Sequence, residues 1–244
     1  SIRIVKREKS GQRQVLEIGR LTNSRSIDGA SMRSEVGVDP YGETIRFGER
    51  AYEARLNSPR PLFYEASPKL WLKEPAKLRN PILPNSEITR WDLIAGLLAY
   101  GVFAAEAGGW KIPGQLNASD IRIAHPVWPA SVALVANQSL LELGRVATDM
   151  ASQGDWGVTT AEILRSYTTC GDGEALPIQA DVVEPIAAAV ELLPDDSNVR
   201  RLCAVIDVGA GTTDIGIFQS LVPDARSTKN QRLIPLGETR SVFL

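Results

Sequence analysis

Apolar and polar positions alternate through the first residues, SIRIVK, where Ile2 and Ile4 are set against Arg3 and Lys6. A period of two marks a half-buried strand. A polar turn around Gly11 follows, and Gln14 to Leu21 reads as the returning strand of a hairpin. Residues Thr22 to Ser34, rich in Ser, Asn and Gly, read as loop. Two short strands, Glu35 to Val38 and Thr44 to Phe47, are joined by the turn Asp39-Pro40-Tyr41-Gly42. A short helix is expected over Glu49 to Leu56.

The period then changes to that of a helix. After a proline-rich, basic connector from Pro75 to Pro84, Ser86 is the expected N-cap, and Ile88, Trp91, Ile94, Leu98 and Val102 follow at helical spacing. Gly108-Gly109 should stop that helix. Asp120 to Ala124 reads as a strand ended by His125-Pro126. A long helix is predicted over Pro129 to Ser152, with Val132, Val135, Leu140, Leu143 and Val146 toward the core. A shorter one is predicted over Thr159 to Tyr167. Near the end, Leu202 to Ile206 forms an apolar run of the kind found in buried strands. Ile215, Ile217 and Phe218 begin a second strand, and Leu233 to Phe243 returns as strand-like sequence after a polar excursion.

Composition narrows the function classes. The chain has 244 residues, 43% hydrophobic and 23% charged, which suits a globular protein with a real core. A net charge of -2 argues against a general electrostatic grip on nucleic acid or an anionic membrane. Two cysteines, Cys170 and Cys203, make a disulfide framework an unlikely design and point to a reducing, cytoplasmic setting. With His125 the only histidine, a zinc site lacks its usual ligands. No signal peptide or membrane-length apolar run is visible.

The stretch between the two late strands carries the chemistry. It reads Asp207-Val208-Gly209-Ala210-Gly211-Thr212-Thr213-Asp214. Gly209 and Gly211 can take positive φ and let a ligand approach bare backbone. Successive N–H groups of such a turn form an anion-binding concavity, and Thr212 and Thr213 add hydroxyl donors. Asp207 and Asp214 would repel an anion unless a cation sits between them. Mg²⁺ suits that place, since it takes one or two carboxylates together with water and phosphate. A Rossmann or P-loop reading is poorer, because neither the following helix nor a Gly-Lys-Ser/Thr ending is present. An ordinary hairpin turn that uses glycine for shape remains the plain alternative.

The same eight residues resemble the second phosphate motif of the actin-like ATPases, most closely that of the heat shock protein 70 (DnaK-type) chaperones. Other segments extend the resemblance. SEVGVDPYGETIRFGERA is similar to a chaperone strand pair followed by a G-x-x-A helix start, and in LFYEASPKLWLKEP the position of the family lysine that positions the attacking water is Lys69. DIRIAHP resembles a strand ending in a proline of the nucleotide cleft, here Pro126, although no arginine follows between Ala130 and Gln138. IQADVVEPIAAAV is similar to a short strand followed by a Glu-Pro-x-Ala-Ala-Ala helix start, in which Glu184 matches a glutamate that helps hold the Mg²⁺ water shell. Ala210 departs from the pattern, since the chaperones usually have glycine there.

The resemblance implies an α/β fold of the ribonuclease-H-like, actin-like ATPase type: a mixed five-stranded sheet with helices on its faces. Residues 1–244 would form one lobe of the nucleotide-binding domain, with 35–110 a smaller α+β subdomain. The first phosphate motif would precede Ser1, and the second lobe and substrate-binding domain would follow Leu244. ATP and Mg²⁺ are the implied ligands. Lys69, Glu184, Asp207 and Thr212 would be catalytic; Gly209, Ala210, Gly211, Thr212 and Thr213 would bind nucleotide; Asp207, Asp214 and Glu184 would organise the metal. Unfolded clients or co-chaperones would be reached through the other domains, and this lobe alone should hydrolyse ATP weakly. A filament-forming actin-like ATPase, a small-molecule kinase of the same superfold and a vestigial binding lobe are the rival readings.

Overall fold

A computed structural model describes residues 2, 4–7, 13–23, 29–108, 121–126, 128–169, 178–183, 202–208, 212–221, 232–235 and 240–243. Helices and mostly antiparallel sheets occur in one chain, the largest sheets among the described residues having four strands. The chain divides into two compact units. The first comprises Ser1–Ile121 and Val132–Ile178, the second Arg122–Ser131 and Gln179–Leu244. Residues 35–110 fall within the first unit.

In the first unit, β1 (Val5–Arg7) pairs antiparallel with β2 (Arg13–Val15), as the alternation predicts. The returning strand is shorter than expected. Residues Ile18–Leu21 turn into a short helix, α1, instead of extending it. Tertiary packing explains the change. Ile18 is fully buried, and Gly19 presses so closely on the Gly29 and Ser31 carbonyls that a Cβ there would lie 2.4 Å from the Ser31 oxygen. The Thr22 hydroxyl donates to the Ile18 carbonyl at 2.9 Å and closes the turn.

A four-stranded sheet follows, ordered β5-β3-β4-β7, with β3 (Val36–Val38), β4 (Thr44–Phe47), β5 (Phe63–Glu65) and β7 (Val158–Thr160). The β3–β4 connection is the expected turn. Gly42 takes φ 77°, and its N–H donates to the Asp39 carbonyl at 3.0 Å. Asp39 also accepts from the N–H groups of Tyr41, Glu43 and Thr44. The helix α2 (Glu49–Asn57) begins at Glu49, whose buried carboxylate accepts from Arg33 Nε at 2.7 Å. A carboxylate in the first turn also complements the helix dipole.

The core of this unit is α3 (Arg90–Ala107), buried almost all round. Its N-cap is Thr89 rather than Ser86, because Thr89 and Asp92 form a reciprocal capping box. The Ser86 hydroxyl serves the loop instead, accepting from the Ile88 N–H at 3.1 Å. At Gly96 the helix nearly touches β4: a Cβ would lie 2.5 Å from Phe47 Cζ. Phe47, Ile45, Val36 and Val38 are fully buried. Each such side chain contributes about 1.5–3 kcal/mol of apolar burial.

The long helix α4 (Ala133–Ala151) packs against α3. Its buried stripe is Ala136, Leu140, Leu143, Ala147 and Met150, rotated from the predicted one; Val135 is exposed. Leu140 and Leu143 are buried as predicted, with Ala136, Ala147 and Met150 in place of the expected valines. The shorter helix, α5 (Ala161–Thr169), starts two residues later than predicted, because Val158–Thr160 first joins the sheet as β7.

The second unit holds most of β6 (Ile121–His125) and β8 (Ile178–Val183), which pair with each other. It also holds a four-stranded sheet of β9 (Leu202–Val208), β10 (Thr212–Leu221), β11 (Arg232–Pro235) and β12 (Arg240–Phe243). Strand β10 is central: β9 lies along one edge, and β11 and β12 share the other. The predicted helix start at Glu184 and Pro185 lies outside the described residues. No helix among the described residues is long and apolar enough to cross a membrane.

Candidate functional site

The candidate site forms where β9 runs into β10. The two expected strands are present and pair antiparallel, in a register continuous from Gln219↔Leu202 to Thr213↔Val208. Asp214 lies directly opposite Asp207. On its other edge Asp214 faces Ser241, so Asp207, Asp214 and Ser241 form one row across three strands. Paired residues share a face, and positions two apart along a strand return to it. That face therefore also carries Thr212, Val205, Gly216 and Phe218. Phe218 is fully buried and Val205 nearly so, whereas Ile206 and Ile217 on the opposite face are exposed.

The register separates the two threonines. Thr212 shares the face of both aspartates; Thr213, opposite Val208, lies on the other. Gly209, Ala210 and Gly211, between the two strands in sequence, lie outside the described residues, as does Glu184. Sequence reasoning gave Ser241 no weight, since a lone serine in a strand-like tail carries no motif; only the β10–β12 pairing brings it beside Asp214.

Two like charges directly opposite on neighbouring strands destabilise a sheet, and aspartate is disfavoured in strands to begin with. A hard cation would relieve the repulsion. By residue type the Asp207–Asp214–Ser241 row offers oxygen donors, the kind that Mg²⁺ takes together with water and phosphate.

Lys69 belongs to the first unit. It lies in the 3₁₀ turn Pro68–Lys73, half-buried and with an interaction partner of its own. Pro68 at the first position of that turn and the buried Leu72 hold the segment in place. Pro126 and His125 belong to the second unit, and both are buried. His125 Nδ1 donates to the Pro126 carbonyl at 2.7 Å, and its ring stacks on Trp128 at 5.8 Å between centroids. A histidine held in this way is structural.

Comparison with family models and with curated proteins finds no match to the chain.

Proposed function

We propose that this chain is the ATP-binding lobe of a heat shock protein 70-like member of the actin-like ATPases, with a ribonuclease-H-like mixed five-stranded sheet. One observation carries the reading: Asp207 and Asp214 stand in register on the two strands that flank Gly209-Ala210-Gly211 in sequence, with Thr212 on their face. Asp207, Asp214 and Glu184 would hold Mg²⁺, which when bound neutralises phosphate charge. The turn from Gly209 to Gly211 and the Thr212 hydroxyl would bind phosphate oxygens. Lys69 would orient the attacking water. Phosphoryl transfer depends mostly on positioning and charge stabilisation by groups converging from several sides. A lobe that offers only part of that set binds ATP better than it turns it over. Coupling to unfolded clients or co-chaperones would belong to other domains, and the reduced-cysteine composition favours a cytoplasmic setting.

Thermal unfolding tests the proposal. A ligand at about 100 times its Kd adds about 2.7 kcal/mol of stability. For a chain of this size that is a rise of roughly 5–10 °C in Tm. Mg-ATP should produce such a shift, and ATP with EDTA should produce much less. Equal shifts with and without the metal, or none at all, contradict the proposal.

A further inference from the structure

The four-stranded sheet of the second unit is aliphatic on the face opposite that of Asp207 and Asp214. Leu202 and Ile206 of β9 share this face with Ile215 and Ile217 of β10, since Ile206 pairs with Ile215 and positions two apart return to one side. All four are exposed, by 39–70%. Single exposed aliphatics are ordinary, but a contiguous cluster on one sheet face marks a surface that another element covers. The opposite face, with Phe218 and Val205, is already buried.

The far edge of β10 adds charge to the aliphatic face. The ladders set Arg240 of β12 beside Ile215, and Arg232 of β11 beside Leu221. The only acidic residues of the four strands, Asp207 and Asp214, stand on the other face. The sheet is therefore sorted, with carboxylates on one side and aliphatics bounded by two arginines on the other. Ile215 and Leu221 are six residues apart on β10, which spaces the two arginine positions about 20 Å along the strand.

We propose that this face docks an amphipathic helix of a partner protein whose aliphatic stripe is flanked by carboxylates. A helix with one apolar stripe is the element that covers an apolar sheet face. Laid along β10, it needs carboxylates about 13–14 residues apart to meet both arginines, since a helix rises about 1.5 Å per residue. Other occupants fit less well. A second copy would set arginine against arginine with no carboxylate to pair. An anionic membrane calls for more than two cations and for aromatic anchors, which this face lacks. Of the chain's own segments beside these strands in sequence, 222–231 has no aliphatic stripe. The other, 184–201, contains Pro194, so a helix begun at Pro185 would reach only Leu193, a length of about 14 Å that falls short of the span. The proposal does not depend on nucleotide binding, which concerns the opposite face.

The test is a fluorescence-anisotropy titration of the fluorescein-labelled peptide ELAQLLAALAQALAEL with the full chain. Its glutamates, at the first and fifteenth positions, flank a leucine stripe at about the required spacing. Binding should saturate with a Kd below about 100 µM. An analogue with both glutamates replaced by glutamine should bind about fivefold weaker. Arg240→Gln should weaken binding of the glutamate peptide by about threefold and leave the analogue unchanged. Ile217→Ser should weaken both, and Arg145→Gln, on α4, should change neither. Each variant is checked for an unchanged melting temperature. Equal binding of the two peptides, indifference to Ile217→Ser or to Arg240→Gln, or no saturation up to about 1 mM chain overturns the proposal. So does preference for phosphatidylglycerol vesicles over the peptide, a dimer in light scattering that Ile217→Ser breaks, or peptide binding that appears only when Leu193→Asp displaces the chain's own segment.

Discussion

Asp214 sits directly across the ladder from Asp207, with Ser241 on its other side. Without a counter-ion this pairing works against the sheet that contains it. Asp214→Asn should therefore raise stability by about 0.2–1 kcal/mol in EDTA, the usual scale of a cross-strand like-charge pair. Mg²⁺ should stabilise the original chain and leave the variant unmoved. Urea unfolding with and without the ion reads both effects.

The capping box of α3 makes a second prediction. Asp92 Oδ2 accepts from the Thr89 N–H at 2.9 Å and the Thr89 hydroxyl at 2.7 Å, while Oδ1 accepts from the Thr168 hydroxyl of α5 at 2.6 Å. One buried carboxylate thus ties the start of α3 to α5. Thr89→Ala should cost about 1 kcal/mol. Asp92→Ala should cost about 0.5–1.5 kcal/mol more, because it removes the Thr168 hydrogen bond across to α3 and leaves that hydroxyl only the Arg165 carbonyl of its own helix, at 3.4 Å. Equal losses for the two variants would show that the tie to α5 contributes nothing.

Two glycines of the same helix should respond oppositely to alanine. A Cβ on Gly96 would meet Phe47 at 2.5 Å, whereas one on Gly101 would meet Ile2 at 3.5 Å, an ordinary contact. Gly96→Ala should cost about 1–3 kcal/mol through overpacking. Gly101→Ala should gain about 0.5–1 kcal/mol from helix propensity. Melting temperatures of the two variants check the contrast.

Alkaline pH should loosen the contact between β5 and the strand beside it. Burial and the hydrogen bond that the Tyr64 hydroxyl donates to Glu35, 2.5 Å long, push the phenol up to about 12. A raised pKa stabilises the protonated folded form. That contribution is complete below the ordinary tyrosine range near 10 and is lost as pH rises toward 12. Of the five tyrosines, Tyr64 and the burial-raised Tyr100 should titrate late in absorbance, and Tyr64→Phe should reduce the late component by one phenol. Asp39 behaves oppositely. Burial alone would raise its carboxyl, but the N–H groups of Thr44, Tyr41 and Glu43 outweigh that and hold it below the ordinary value. Its contribution is present at neutral pH and lost as pH falls through the lowered pKa.

Much of the first unit is legible in the residue pattern, and the exceptions share a cause. The hairpin, the β3–β4 turn at Gly42, α2, α3 and the late strands follow from local periodicity and turn chemistry. The misses arise where distant packing decides. Ile18 bends its segment into a helix to reach the core, Thr89 outcompetes Ser86 as cap because Asp92 reciprocates, and α4 buries Ala136 and Ala147 rather than Val135. At the candidate site the strand pair is readable from sequence, but the pairing of Asp207 with Asp214 and the addition of Ser241 are not. Register depends on loop length and on which strand occupies the far edge of β10.

The claim that the hairpin grips phosphate through a divalent ion is tested most directly by calorimetric titration of ATP into the chain and into Asp207→Asn, each with Mg²⁺ and with EDTA. The account predicts binding to the original chain in Mg²⁺ only, at least about tenfold weaker for the variant, a difference of about 1.4 kcal/mol. ATP binding of equal strength in all four titrations, or none in any, would contradict it.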